Sequence, residues 1–240
     1  MNRLKVKHFL QDPAHCAVAS SAEMANYYDS TIDYEYTKKL AHKKISKKIG
    51  DEGLETSQIA LLLNYLGFKK VTIVSSSMSI FDYSWSKYSR KKITEALKNA
   101  ISKKKDKVER LETKNMYKWI SKTEYNNCIK IDYDFDKYIK KQLNSRKPLI
   151  LTFNWTIFFR FIKDGGEEEP DAINGDAAEH AVVANGYDNK GVWVVDSHHK
   201  YYKYTRKKYK KGFYKMPWSH LYTCMGTGDL ILAEEYEGGD

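Results

Sequence analysis

Cysteine and proline are scarce in this chain, with three Cys and four Pro among 240 residues. Cys16, Cys128 and Cys224 are odd in number and far apart. That excludes a disulfide framework and the paired CxxC spacing of a zinc site. It sets a reducing, cytoplasmic setting as the expectation. Long apolar runs are missing too: none approaches the ~18 residues that read as a membrane span. The opening Met1-Asn2-Arg3-Leu4-Lys5-Val6-Lys7 lacks the apolar core of a signal peptide. Acidic residues are outnumbered, 31 against 41 Lys and Arg, for a net charge of +10. Apolar residues make up 42% and aromatics 14%, enough for a proper core. The composition excludes a disordered chain. The length points to one α+β domain over residues 1–240, with room for an insertion.

Within that frame one stretch stands out, Gln11-Asp12-Pro13-Ala14-His15-Cys16-Ala17-Val18-Ala19-Ser20. Asp12 suits a helix N-cap and Pro13 the first helical position, where no N–H is needed. Ala17, Val18, Ala19, Ala22, Met24 and Ala25 then predict a buried helix to about Tyr28. Cys16 falls in its first turn, where the helix dipole and unpaired N–H groups favour a thiolate nucleophile. A small buried thiol is the alternative.

A candidate partner lies in Glu179-His180-Ala181-Val182-Val183-Ala184-Asn185-Gly186-Tyr187, followed by Val192-Trp193-Val194-Val195-Asp196-Ser197. Two apolar β-branched runs around a turn predict an antiparallel hairpin. A three-residue loop, Asn189-Lys190-Gly191 with Gly191 in the left-handed bulge position, puts Asp196 opposite Ala184. His180 then shares a face with Asp196, because side chains alternate with period two. A one-residue slip would separate them. A cysteine on an early helix with a histidine and a carboxylate on a later hairpin suits acyl transfer. Gln11 could offer its amide to an oxyanion, beside the Cys16 N–H.

In that order, Gln11, Cys16, His180 and Asp196 resemble the catalytic residues of papain-like cysteine peptidases. The nearest resemblance is to the double-glycine (bacteriocin-processing) leader peptidases and their stand-alone relatives. Gly53-Leu54-Glu55-Thr56-Ser57-Gln58 through Leu66-Gly67-Phe68 also resembles that family's second conserved block, whereas residues 75–145 match poorly. Ala17 stands where many relatives carry Gly, and no transporter domains follow, so a leader-peptide substrate is not implied. The resemblance implies an α+β papain-like fold and a Cys16 thioester mechanism with His180 as general base and acid. It implies a protein or peptide substrate, no cofactor and no metal. Transpeptidase-like acyl transfer at the same site stays open, as does a non-catalytic binding module.

Elsewhere, Tyr34 to Ile49 has a helical pattern ending at Gly50, and Thr56 caps an apolar helix closed by Gly67. Residues 70–74, 129–133, 148–155 and 229–233 read as strands; 135–143 and 218–222 read as helices. Residues 75–125 form a helical insertion, read as surface decoration or a cleft wall. Trp155 suits the core or the cleft, and His15 the cleft entrance. Lys163 to Glu179 is a polar loop: solvated, a flap selecting basic substrates, or a calcium site whose ligand spacing fails. Lys200–Lys215 carries eight Lys or Arg and six aromatics in sixteen residues. It suits nucleic acid, an acidic protein, or a solvated ribbon. Adjacent His198 and His199 would point to opposite strand faces and form no metal pair. Gly238-Gly239 resembles what the leader peptidases cleave after, or is a plain tail. Oligomeric state and substrate sequence are not legible.

Overall fold

The computed structural model describes residues 3–49, 53–159, 163–164, 171–198, 212–226 and 228–238. The helices are α1 (Cys16–Tyr28), α2 (Tyr34–Lys44), α3 (Thr56–Tyr65), α4 (Arg90–Ile101), α5 (Lys107–Ile120), α6 (Phe135–Asn144), α7 (Trp155–Phe159) and α8 (Trp218–Cys224). The strands are β1 (Phe68–Ser75), β2 (Cys128–Ile131), β3 (Leu149–Asn154), β4 (Glu179–Asp188), β5 (Gly191–Val195), β6 (Phe213–Pro217) and β7 (Asp229–Tyr236). They form one sheet in the order β2-β1-β7-β3-β4-β5-β6. Only β1 and β2 run parallel; the other neighbours are antiparallel. The architecture is α+β, as expected, and among the described residues no helix is long and apolar enough to cross a membrane.

Helix α1 packs on β4 and against α2 and α3. Ten of its thirteen residues are buried, including Val18, Ala19, Ala22 and Ala25. Small residues let the helix approach the sheet closely, and Ser20 Oγ donates to the Ala181 carbonyl of β4 at 2.9 Å. The helix starts at Cys16, later than the Asp12–Pro13 cap predicts. Asp12 instead accepts the His15 N–H in a tight turn with Ala14 at φ +57°. Its carboxylate accepts from Tyr34 Oη at 3.1 Å and from Lys38, clamping the turn to α2. Two tertiary partners outcompete the local cap. For α3 the cap is Glu55 rather than Thr56: Gln58 Oε1 accepts the Glu55 N–H at 2.9 Å. Gly67, at φ +106°, turns the chain from α3 into β1 as expected. Helix α2 stops at Lys44, short of the predicted Gly50, which lies outside the described residues.

The β4–β5 hairpin departs from the predicted register twice. The turn is one residue tighter, pairing Asp188 with Gly191, Tyr187 with Val192 and Gly186 with Trp193. Gly191 is not in the left-handed region. It is glycine because a Cβ there would sit 2.1 Å from the Met216 carbonyl of β6. A β-bulge then skips Asn185, so Ala184 pairs with Val194 and Val183 with Val195. Either slip alone would flip His180 away from Asp196; together they restore the shared face.

Helices α4 and α5 pack on each other, and α5 packs on α3. Trp119 Nε1 donates to Asn64 Oδ1 at 3.0 Å, an oxygen that also accepts from Asn127 Nδ2 at 3.0 Å. The Arg90 guanidinium donates to the Ile120, Lys122 and Tyr125 carbonyls. These bonds close the segment at 90–125 on itself and fix it against α3.

Candidate active site

Cys16 is the first residue of α1, half-buried, and lines a cavity of about 630 Å³. At that position its N–H has no intrahelical acceptor. His180, near the start of β4, lines the same cavity and hydrogen-bonds the thiol. The other side of the imidazole is held by Asp196: His180 Nε2 and Asp196 Oδ1 are 2.8 Å apart. With Nε2 occupied, Nδ1 is the nitrogen left to face the thiol. His180 and Asp196 are both buried, at 6% and 5% exposure.

The charges of this site are set by burial and by each other. Burial alone would raise the Cys16 thiol, but the His180 hydrogen bond and charge outweigh it. The Ala181 N–H adds a further donor, and the thiol ends below its ordinary value of 9.0. Burial likewise works against charge on His180, yet the Asp196 carboxylate and the thiol raise it above 6.5. Asp196 stays below 3.8 because the imidazolium and the His198 N–H, at 2.9 Å, overcome its desolvation. The combined directions favour a thiolate–imidazolium pair beside a carboxylate.

Gln11 is brought to the same corner. Its backbone N–H donates to the Ser197 carbonyl at 3.0 Å, and Ser197 Oγ donates to Gln11 Oε1 at 2.7 Å. With Oε1 engaged, Nε2 is the free donor of the amide; among the described residues it donates to nothing. Cys16, His180 and Asp196 thus form a hydrogen-bonded chain, and Gln11 is tied to Ser197, the residue after Asp196, without lining the cavity.

The model of the family described as Peptidase C39 like matches residues 3–221 of this chain. The chain belongs to that family. Among solved structures, a Bacillus anthracis protein described as a C39-like peptidase aligns at 15% identity and a TM-score of 0.45. The alignment covers 99% of this chain and 100% of that one, a likeness too distant to carry an argument. No curated protein matches. Family membership gives the papain-like fold and points to peptidase chemistry.

Several residues that support the candidate site were not legible in the sequence. Tyr214 Oη donates to Asp196 Oδ2 at 2.9 Å, although the sequence offered Tyr214 only as one aromatic of a basic ribbon. His8 Nε2 donates to the Asp196 carbonyl at 2.8 Å. Trp155 begins α7 and is buried, with its ring 5.7 Å from that of His180, so it serves core and site together. Glu23, two turns beyond Cys16 on α1, is fully buried and accepts the Phe9 N–H at 3.1 Å. Its Oε2 has no partner, and burial pushes its carboxyl well above the usual carboxylate range.

Other candidates fall elsewhere. His15 is buried, donates through Nδ1 to the Pro13 carbonyl at 2.6 Å and faces His42, away from the cavity lining. Met78, Ser79, Ile80, Glu112 and Met116 line the cavity, so the segment at 75–125 supplies a cleft wall. In the polar loop, Asp164 and Asp176 form an isolated bridge, and residues 165–170 lie outside the described residues. Among the described residues no group of three His, Cys, Asp or Glu side chains could hold a metal ion. His199, residues 200–211 of the basic ribbon and Gly239 also lie outside them.

Proposed function

We propose that this chain is a cysteine peptidase. The Cys16 thiolate attacks the scissile carbonyl carbon, forming a C–S bond while the carbonyl electrons move to oxygen. The Cys16 N–H and the Gln11 amide stabilise that oxyanion. On collapse the C–N bond breaks, and His180 gives its Nδ1 proton to the departing amine, leaving a thioester. Water then attacks the thioester, His180 takes its proton, and the C–S bond breaks to regenerate thiolate and imidazolium. Asp196 keeps the ring oriented and stabilises its charged form. The observation that supports this reading is the Cys16–His180–Asp196 hydrogen-bonded chain opening on the cavity.

The test is the rate of Cys16 alkylation by iodoacetamide against pH, read by peptide mass mapping. Cys128 and Cys224 are internal controls; burial pushes the Cys224 thiol up to about 11. Cys16 labels fast well below pH 9, and the advantage disappears in His180→Ala. Equal rates at all three cysteines would overturn the proposal.

A further inference from the structure

The cavity beside Cys16 is acidic, which is unexpected on a chain of net charge +10. Glu55, Glu112, Glu179 and Asp229 line it, and among the described residues no Lys or Arg does. Lys104, close by, is committed to Glu109 at 3.3 Å and to the Ser79 carbonyl. The four acids come from four elements: the start of α3, the middle of α5, and the first residues of β4 and β7, the two strands on either side of β3.

Asp229 lies deepest of the four, at 6% exposure. The Ser75 and Thr56 hydroxyls hydrogen-bond its carboxylate and hold it down against burial, while Oδ1 has no hydrogen-bond partner. A buried, unpaired carboxylate oxygen is costly and calls for a ligand that donates to it. Burial and the neighbouring acids push Asp229 to about 6 and Glu112 to about 7, so both ionise readily once a cation arrives. The acids are too dispersed to converge on one metal ion among the described residues. Leu54, Met78, Ile80 and Met116 line the same cavity. Apolar lining together with a buried carboxylate matches a methylene stem that ends in a cation.

We propose that this cavity is a specificity subsite for a lysine or arginine side chain of the peptide substrate, with Asp229 at its inner end and Glu112 on its wall. The proposal rests on the peptidase reading only for the identity of the ligand as a peptide.

Its test is a binding measurement on the full chain carrying Cys16→Ala, which removes turnover. The probes are fluorescein-labelled decapeptides of Ala, Gly and Ser with one Lys, Arg or norleucine moved along the sequence. Norleucine keeps the stem and lacks the charge. At one position the cationic peptides bind about tenfold or more tighter than the norleucine peptide, as a charged hydrogen bond warrants. Asp229→Asn abolishes that preference, and Glu112→Gln, on the half-exposed wall, reduces it. No cation preference at any position, or a preference unchanged by both substitutions, would overturn the subsite. Iodoacetamide labelling of the wild-type chain separates the two ideas. Fast labelling of Cys16 without cation preference defeats the subsite and leaves the peptidase; slow labelling with cation preference does the reverse.

Discussion

At the residue scale, the site is a chain of partners in which each buried charge is answered by another. Asp196 accepts from Tyr214 Oη and the His198 N–H and pairs with His180, so its carboxylate is well solvated by protein. Asp196→Asn preserves the shape and removes the charge that sustains the imidazolium. Peptide turnover falls by about a hundredfold or more, the scale of general acid–base catalysis. Comparing kcat/KM against pH with Cys16→Ala, which has no turnover, checks it. Tyr214→Phe leaves Asp196 Oδ2 without its hydroxyl donor. The chain loses on the order of 2 kcal/mol of stability, the worth of a hydrogen bond to a charged group, read as a lower urea midpoint. Cys16, His180, Asp196 and Gln11 were legible as candidates because their chemistry is distinctive and their order resembles a known constellation. Tyr214, His8 and Ser197 were not, because a hydroxyl or ring acquires this role only from what folds beside it.

At the scale of elements, the β4–β5 hairpin decides whether the site exists. The tight turn and the bulge at Asn185 each shift the register by one residue; with this turn, the bulge is what keeps His180 on the face of Asp196. Asn185 is held in place from outside the hairpin: its Nδ2 donates to the Leu4 carbonyl at 3.0 Å, and its own carbonyl accepts the Leu4 N–H at 2.7 Å. Asn185→Val removes the side-chain clamp to Leu4 and favours residue 185 entering the ladder opposite Val194, which closes the bulge and turns His180 to the opposite face. Chains that keep their sheet signal in circular dichroism then label Cys16 no faster than Cys128. Gly191→Ala strikes the same hairpin differently, driving a methyl group into the Met216 carbonyl 2.1 Å away. It costs roughly 1–3 kcal/mol as β6 moves aside, seen as a lower melting temperature.

At the scale of the whole molecule, buried acids set an unusual pH dependence. Asp229, pushed to about 6, and Glu112, pushed to about 7, bind protons more tightly folded than unfolded. Their contribution to stability is fully present below their ordinary values of 3.8 and 4.5, and is lost as pH rises through 6 and 7. His180, raised above 6.5, acts in the same direction, whereas the lowered Cys16 thiol opposes it from above. Asp196, lowered, withdraws its support only as pH falls below 3.8. The urea midpoint therefore rises from pH 8 toward pH 5, and the rise shrinks in the Asp229→Asn, Glu112→Gln double variant. A flat profile shared by both proteins would contradict it. Stability given up at neutral pH by an acidic cleft is the expected mark of a binding site.

The sequence by itself determined the class of fold and the candidates for nucleophile, base and carboxylate. Periodicity, residue chemistry and chain order are local or one-dimensional properties, and they survive without coordinates. It also foresaw β1, β3, β7, α6 and α8 close to their observed bounds. Tertiary structure alone decided where α1 begins, since Tyr34 and Lys38 draw Asp12 away from capping. It alone decided the hairpin register, since the bulge is held by Leu4 across 181 residues of chain. The acidic cavity belongs to the same category: Glu55, Glu112, Glu179 and Asp229 are far apart in sequence, and their mutual repulsion arises only when the sheet and two helices bring them together.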